Sequence, residues 1–174
     1  MRSAKGFALI DILFVCGILG ILSILAMPRL LLARQSAGAA SAIGSMRTIS
    51  SSQLTYALTC GGGFYAPTLT TLGTPPPGSD SPYISPTLGS SDSVNHSGYL
   101  IQMSSMPFAG APSACNGPAA GETGQGFKAG ADALEATNSR YFAVNANGQI
   151  FEDSATMYAA MPEVGEPASG HVLR

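Results

Sequence analysis

A run of 21 residues, Phe7 to Met27, decides most of what this chain can become. It reads FALIDILFVCGILGILSILAM and holds one charge, Asp11. At ~1.5 Å per residue, a helix of this length matches a hydrocarbon core of ~30 Å. Arg2 and Lys5 precede it, and Arg29 and Arg34 follow it. Flanking charge alone therefore does not orient it in a membrane. A cleaved secretory signal has an apolar core of about 7–15 residues followed by a small-residue cut site. This run is longer, and Met27-Pro28-Arg29 offers no such site, so an uncleaved anchor is expected. An acid at mid-membrane costs ~2.5–3.5 kcal/mol on insertion scales, and less near a helix end. An acid kept there calls for a partner.

The remaining composition narrows the function classes. A length of 174 residues suits one domain plus an anchor. Charged residues make up 10% of the chain, against about 25% in ordinary soluble domains. With 45% apolar residues, the chain is not a disordered polyelectrolyte. Lys plus Arg total 8 against 10 acids, and no basic cluster exists to neutralise a phosphate backbone. No nucleic-acid contact is expected.

The segment Lys5-Gly6-Phe7-Ala8-Leu9-Ile10-Asp11 is a short basic leader, a Gly, a Phe and an apolar run with an acid at its fifth residue. It resembles the prepilin signature of type IV pilins and type II secretion pseudopilins. The resemblance implies cleavage between Gly6 and Phe7 by a dedicated aspartyl peptidase on the cytoplasmic side, then N-methylation of Phe7. The leader would take Arg2 and Lys5 with it. Lys plus Arg then falls from 8 to 6 against 10 acids, and the side-chain balance from −2 to −4. The implied topology is a single pass through a bacterial inner membrane with the C-terminus outside. After assembly the subunit would stand in an extracellular or periplasmic filament. Pro28 and Gly20 also fall where the family has helix-loosening residues. The acid departs from the pattern, being Asp where the family has Glu, which shortens its reach by one methylene.

The resemblance implies a role for each of these residues. In a helical filament each anchor helix packs among its neighbours. The amine at Phe7 would then be a buried cation, and Asp11 of an adjacent subunit its counter-charge. Removing one partner of a buried pair typically costs ~3–5 kcal/mol, so such a pair selects a register. Gly17 and Gly20 permit close backbone approach between helices. Gly20 and Pro28 bracket a stretch that is either easily stretched or simply kinked, since Pro costs ~3 kcal/mol in a regular helix.

Beyond the anchor, Arg29 to Leu58 keeps helical periodicity. Ile43, Met46, Ile49 or Ser50, Gln53 or Leu54, and Ala57 form one stripe, with Ser, Arg47 and Thr opposite. The stripe reads as core. Gly61-Gly62-Gly63 ends the helix; it is no phosphate loop, lacking the Lys and the preceding strand. Residues 66 to 97 are rich in Pro, Thr, Ser and Gly around Pro75-Pro76-Pro77, and read as a long connection. Thr71-Leu72 and Tyr83 to Leu88 are candidate helical turns, and the Ser/Thr density permits O-glycosylation. Strands are expected at Gly98–Met103, Gln125–Ala129, Arg140–Asn145 and Gln149–Glu152, the last two joined through Ala146-Asn147-Gly148. The tail from Ser154, with Pro162, Pro167 and Gly170, is expected to be partly ordered at best.

The resulting expectation is an α+β fold: one long N-terminal helix, half membrane and half amphipathic, packed on a small antiparallel sheet of three to four strands. Its segments are a leader (1–6), a filament-core helix (7–28), an amphipathic half-helix (29–60), a loop-rich connection (61–97), a sheet head (98–153) and a tail (154–174). Cys16 lies in the membrane run as a packed thiol. Cys60 and Cys115 lie in the exported part, where oxidation is permitted. Pilins often carry a head disulfide, and this pair would close a loop that the chain-entropy model values at ~4 kcal/mol.

No catalytic, cofactor or metal residues are expected. His96 and His171 lack partners at metal-ligand spacing, and no nucleophile elbow is present. Asp132 with Glu135, and Glu152 with Asp153, read as solvated acids before calcium ligands. Asn95-His96-Ser97 fits a sequon. The expected function is a non-enzymatic structural subunit of a type IV pilus or pilus-like filament. The implied partners are other copies of itself, minor pilins, the prepilin peptidase, an inner-membrane assembly platform and, before assembly, membrane lipid. The alternatives are a type II secretion pseudopilin and, from another class, a single-pass anchored binding or enzyme domain that does not polymerise.

Overall fold

The apolar run and the periodic stretch after it form one helix, α1 (Leu9–Thr59). The computed structural model describes residues 9–135 and 137–173. Two compact units divide it, Met1–Ala37 and Gly38–Arg174, and α1 contributes to both.

In the second unit α1 buries Ala39, Ala42, Met46, Ile49, Gln53 and Tyr56. Their steps alternate between three and four residues, which keeps them on one face of a 3.6-residue helix. Where the sequence left two choices, the buried residues are Ile49 and Gln53, while Leu54 stays exposed. The amide of Gln53 explains its burial: its Nε2 donates to Ala66 O (2.9 Å) and its Oε1 accepts from Ala66 N (2.8 Å). One side chain thus satisfies both backbone groups of a buried residue, which a Leu cannot do. We expect Gln53→Leu to orphan those two groups and lower stability by about 2 kcal/mol in urea unfolding.

The helix stops at Thr59, and the chain turns through the three glycines, with Gly63 N bonded to Ala57 O. Short helices α2 (Leu69–Gly73) and α3 (Pro86–Gly89) follow at the two candidate turns. Thr68 caps α2 by accepting from Thr71 N, and Pro86 supplies the preset φ at the start of α3.

Six antiparallel strands complete the unit: β1 (Ser93–His96), β2 (Tyr99–Ser104), β3 (Lys128–Ala133), β4 (Tyr141–Asn145), β5 (Ile150–Asp153) and β6 (His171–Val172). They lie in chain order, each paired with the next. The α+β class stands, and the strand number is corrected from three or four to six.

Two of the additions were hidden by composition. β1 sits in what read as the end of the connection. A two-residue turn, Ser97-Gly98, joins it to β2 with His96 opposite Tyr99. Ser97 has φ 52° and Gly98 φ 84°, the signature of the hairpin turn whose twist matches the strands. α1 receives this turn closely: a Cβ on Gly38 would lie 2.8 Å from Ser97 O. β6 lies in the tail and pairs Val172 with Phe151.

The position of β3 is also corrected, from Gln125–Ala129 to Lys128–Ala133. Its KAGADA sequence lacks the β-branched pattern that marks strands. Small residues serve there because Tyr158 lies over Gly130, where a Cβ would meet Tyr158 Cβ at 2.7 Å.

The main core lies between α1 and one face of the sheet. It joins Met46, Ile49 and Tyr56 to Tyr99, Ile101, Phe127, Phe142 and Val144, with Leu69, Leu72 and Ile84 from the connection. The tail covers the other face, where Met157 and Met161 pack on Ala143 and Phe151. Asn145 holds it by donating Nδ2 to Pro162 O (3.1 Å) and Gly165 O (2.7 Å). The tail is thus an ordered layer, correcting the expectation of partial order.

Tyr56 adds a pH dependence. It is fully buried against Tyr83, and its hydroxyl has no hydrogen-bond partner among the described residues. Burial first, then the neighbouring Tyr83, pushes its pKa up to about 12. An unfolded chain releases this proton near 10, so above that pH the unfolded state holds fewer protons and stability falls until about 12. In Tyr56→Phe that alkaline loss should shrink, while neutral-pH stability stays level or rises by about 1 kcal/mol. Thermal melts of both proteins across alkaline pH test this.

Candidate functional site

The first unit presents an apolar surface that this chain itself leaves uncovered. Leu9, Ile10, Phe14, Ile24 and Met27 are each at least 70% exposed, and Leu13, Leu19, Ile21, Leu22 and Leu32 are exposed as well. The most apolar 18-residue window of α1 has a mean hydropathy of 2.6, and none of it is buried. α1 is long and apolar enough to cross a membrane. Each large aliphatic side chain left in water forgoes about 1.5–3 kcal/mol. Such a surface is covered by lipid or by protein.

Within this surface Asp11 is the single acid and lies in the first turn of α1. Of the described residues before Arg29, Asp11 alone is charged. Gly17 and Gly20 follow at six and nine positions further along. A Cβ at either would meet nothing within 4 Å. Each Gly costs a helix about 1 kcal/mol relative to Ala, and nothing packed among the described residues offsets it. Pro28 lies inside α1, which is helical on both sides of it. Ser23 Oγ donates to Leu19 O one turn back (2.8 Å). Cys16 is an exposed free thiol. The expected cleavage and methylation positions, Gly6 and Phe7, lie outside the described residues.

Cys60 and Cys115 are brought together as a disulfide with Cα atoms 5.0 Å apart. The bond ties the long β2–β3 connection to the end of α1. Cys115 N also donates to Cys60 O (3.2 Å), and Asn116 Nδ2 donates to Thr71 O and Thr74 O (2.9 Å each).

The acids noted in the sequence go to separate partners. Asp132 accepts from Thr156 Oγ1, and Asp153 from Ser154 N. Glu152 pairs with Arg140 through two hydrogen bonds, of 2.5 and 3.1 Å. That guanidinium, more than any other neighbour, holds the Glu152 carboxyl below its ordinary value. The pair is partly exposed and is worth at most ~1 kcal/mol. His96 lies in β1 and His171 in β6, opposite Glu152. Among the described residues no three His, Cys, Asp or Glu converge on a metal position.

Three polar residues organise the head: the sequence offered Gln53 only as an alternative on the stripe, and gave Asn145 and Glu163 no such role. Gln53 and Asn145 are the two amides described above. Glu163 accepts from Met106 N, and burial raises its pKa. Polar side chains at these positions look like surface residues until the backbone groups they satisfy are known. No protein-family model, curated protein or solved structure matches this chain.

Proposed function

We propose that this protein is a structural, non-enzymatic subunit of a type IV pilus or pilus-like filament, processed at Gly6-Phe7 and polymerised through α1. One observation carries the reading: a long helix whose N-terminal apolar stretch is uncovered and whose single acid sits in that stretch. A simple lipid anchor explains the apolar surface alone. It gives no use for a charge at this depth or for two glycines with open space beside them. Packing against neighbouring copies gives all three a use. Asp11 meets the cleaved amine of another subunit, and Gly17 and Gly20 let backbones approach. The disulfide and the tail-covered sheet make a head that withstands the exterior.

In this reading the subunit first rests in the inner membrane with its C-terminus outside. It is cut and methylated by a prepilin peptidase and drawn by an assembly platform into a fibre with minor pilins. Mass analysis of the mature N-terminus tests the proposal, the expected species beginning at N-methyl-Phe7. A functional monomer that retains Met1 to Gly6 overturns it and favours an anchored domain that does not polymerise. Electron microscopy of cells distinguishes surface fibres from the short periplasmic assembly of a secretion pseudopilin.

A further inference from the structure

A groove of about 420 Å³ runs between α1 and the β4–β5 hairpin, lined by Arg47, Leu54, Tyr65, Phe127, Asn147 and Ile150 among others. Arg47 is an exposed cation of the head. Of the other cations described in this unit, Arg140 pairs with Glu152 and Lys128 lies 5.3 Å from the centre of the Tyr158 ring. Among the described residues Arg47 has no hydrogen bond and no ion pair. The groove thus joins aromatic and aliphatic walls to one free guanidinium.

A candidate occupant lies elsewhere on the same head. Leu72 O accepts from Tyr83 N (3.0 Å) and Ile84 N (3.2 Å), closing the base of a loop. At its tip Ser79 N donates to Pro76 O (3.1 Å), with Pro77 and Gly78 (φ 83°) as the two central residues. That is a type II turn, rigid in advance of any contact. Asp80 follows it, exposed and without an ion pair among the described residues. Asp92, Glu122, Asp132, Asp153 and Glu163 also lack an ion pair but accept hydrogen bonds, whereas Glu135 and Glu166, like Asp80, have neither among the described residues. Glu166 follows Gly165, which packs on Asn147 at the groove's own rim, and still leaves Arg47 unpaired.

We propose that the Pro75–Asp80 turn of one copy docks in the Arg47 groove of the next, with Asp80 pairing to Arg47. A pre-formed proline turn loses little entropy on docking, and apolar walls with one charge suit it. The turn does not line the groove of its own chain. Ser52, Tyr56 and Thr59 of α1 hold Tyr83 at the base of the loop, while Arg47, Ser51 and Leu54 face the groove. At roughly 100° per residue the two sets are about 150° apart around the helix. Donor and acceptor surfaces on opposite sides of a subunit make a heterologous head-to-tail contact, which builds rings or open helical filaments and not a two-fold dimer. This inference rests on the filament reading for what brings copies together, and adds which head surfaces meet.

The test uses the full chain in its native membrane, in a Cys16→Ser background. Copies bearing Ser51→Cys are mixed with copies bearing Ser79→Cys and treated with a short bismaleimide, and fibres are counted separately by electron microscopy. A cross-linked dimer is expected. Arg47→Glu or Asp80→Arg alone should reduce it by about tenfold, and the double reversal should restore it. Cross-linking without fibres upholds the docking and overturns the filament reading. Fibres that form with no 51–79 cross-link, and that tolerate both single reversals, overturn the docking and leave the filament reading standing. A cross-link only to a different protein also overturns the docking.

Discussion

Asp11→Ala should insert into membranes as well as the parent chain and fail to make fibres. The expected loss is large because a packed filament core would contain one amine per subunit with no counter-charge. Orphaning one member of a buried pair costs ~3–5 kcal/mol, which is two to three orders of magnitude in association. Insertion, by contrast, becomes easier once an acid is removed from an apolar helix. Asp11→Glu restores the charge with a longer reach and should assemble. Membrane fractionation and fibre counts on the same cells read the two effects independently. Abundant fibres from Asp11→Ala would remove the charge-pairing account while leaving the membrane span in place.

The second large effect lies in the head. Replacing both Cys60 and Cys115 by Ala should lower stability by about 2–5 kcal/mol. The bond joins residues 55 positions apart, for which the chain-entropy model gives about 4 kcal/mol. Roughly 10 °C should be lost from the midpoint of thermal unfolding. Ala keeps the buried Cys60 position apolar, so the change reports the cross-link. Melting the detergent-solubilised full chain with and without reductant gives the same comparison. A parent protein whose melt is unchanged by reductant would show that the bond adds nothing to the head.

The parts of the fold that were legible in the sequence are those governed by local rules. The apolar run, the three- and four-residue stripe on α1, the glycine stop after Thr59 and the hairpin before β5 each depend on residues close in the chain. Even these were read incompletely. Periodicity could not choose between Gln53 and Leu54, because it counts apolar character and the choice was made by the unpaired backbone of Ala66. The hairpin before β5 reaches positive φ at Gly148, while Asn147 does not. Ser97-Gly98 is a turn dipeptide of the same kind, and the strand after it was expected, but the stretch before it is so rich in Ser and Gly that β1 did not stand out.

What the sequence determined alone is a single long helix, apolar and uncharged but for Asp11 as far as Pro28 and amphipathic beyond it, followed by a smaller antiparallel part. Those properties follow from length, hydropathy and spacing within one segment. Only the tertiary structure decided the six-strand order, the position of β3, the ordered tail, the meeting of Cys60 with Cys115 and the isolation of Arg47. Each of these depends on a surface supplied from far along the chain. Tyr158 makes KAGADA a strand by filling the space above Gly130, and Ala143 and Phe151 give Met157 and Met161 something to cover. Burial and pairing are properties of two surfaces, and a sequence pattern describes one at a time.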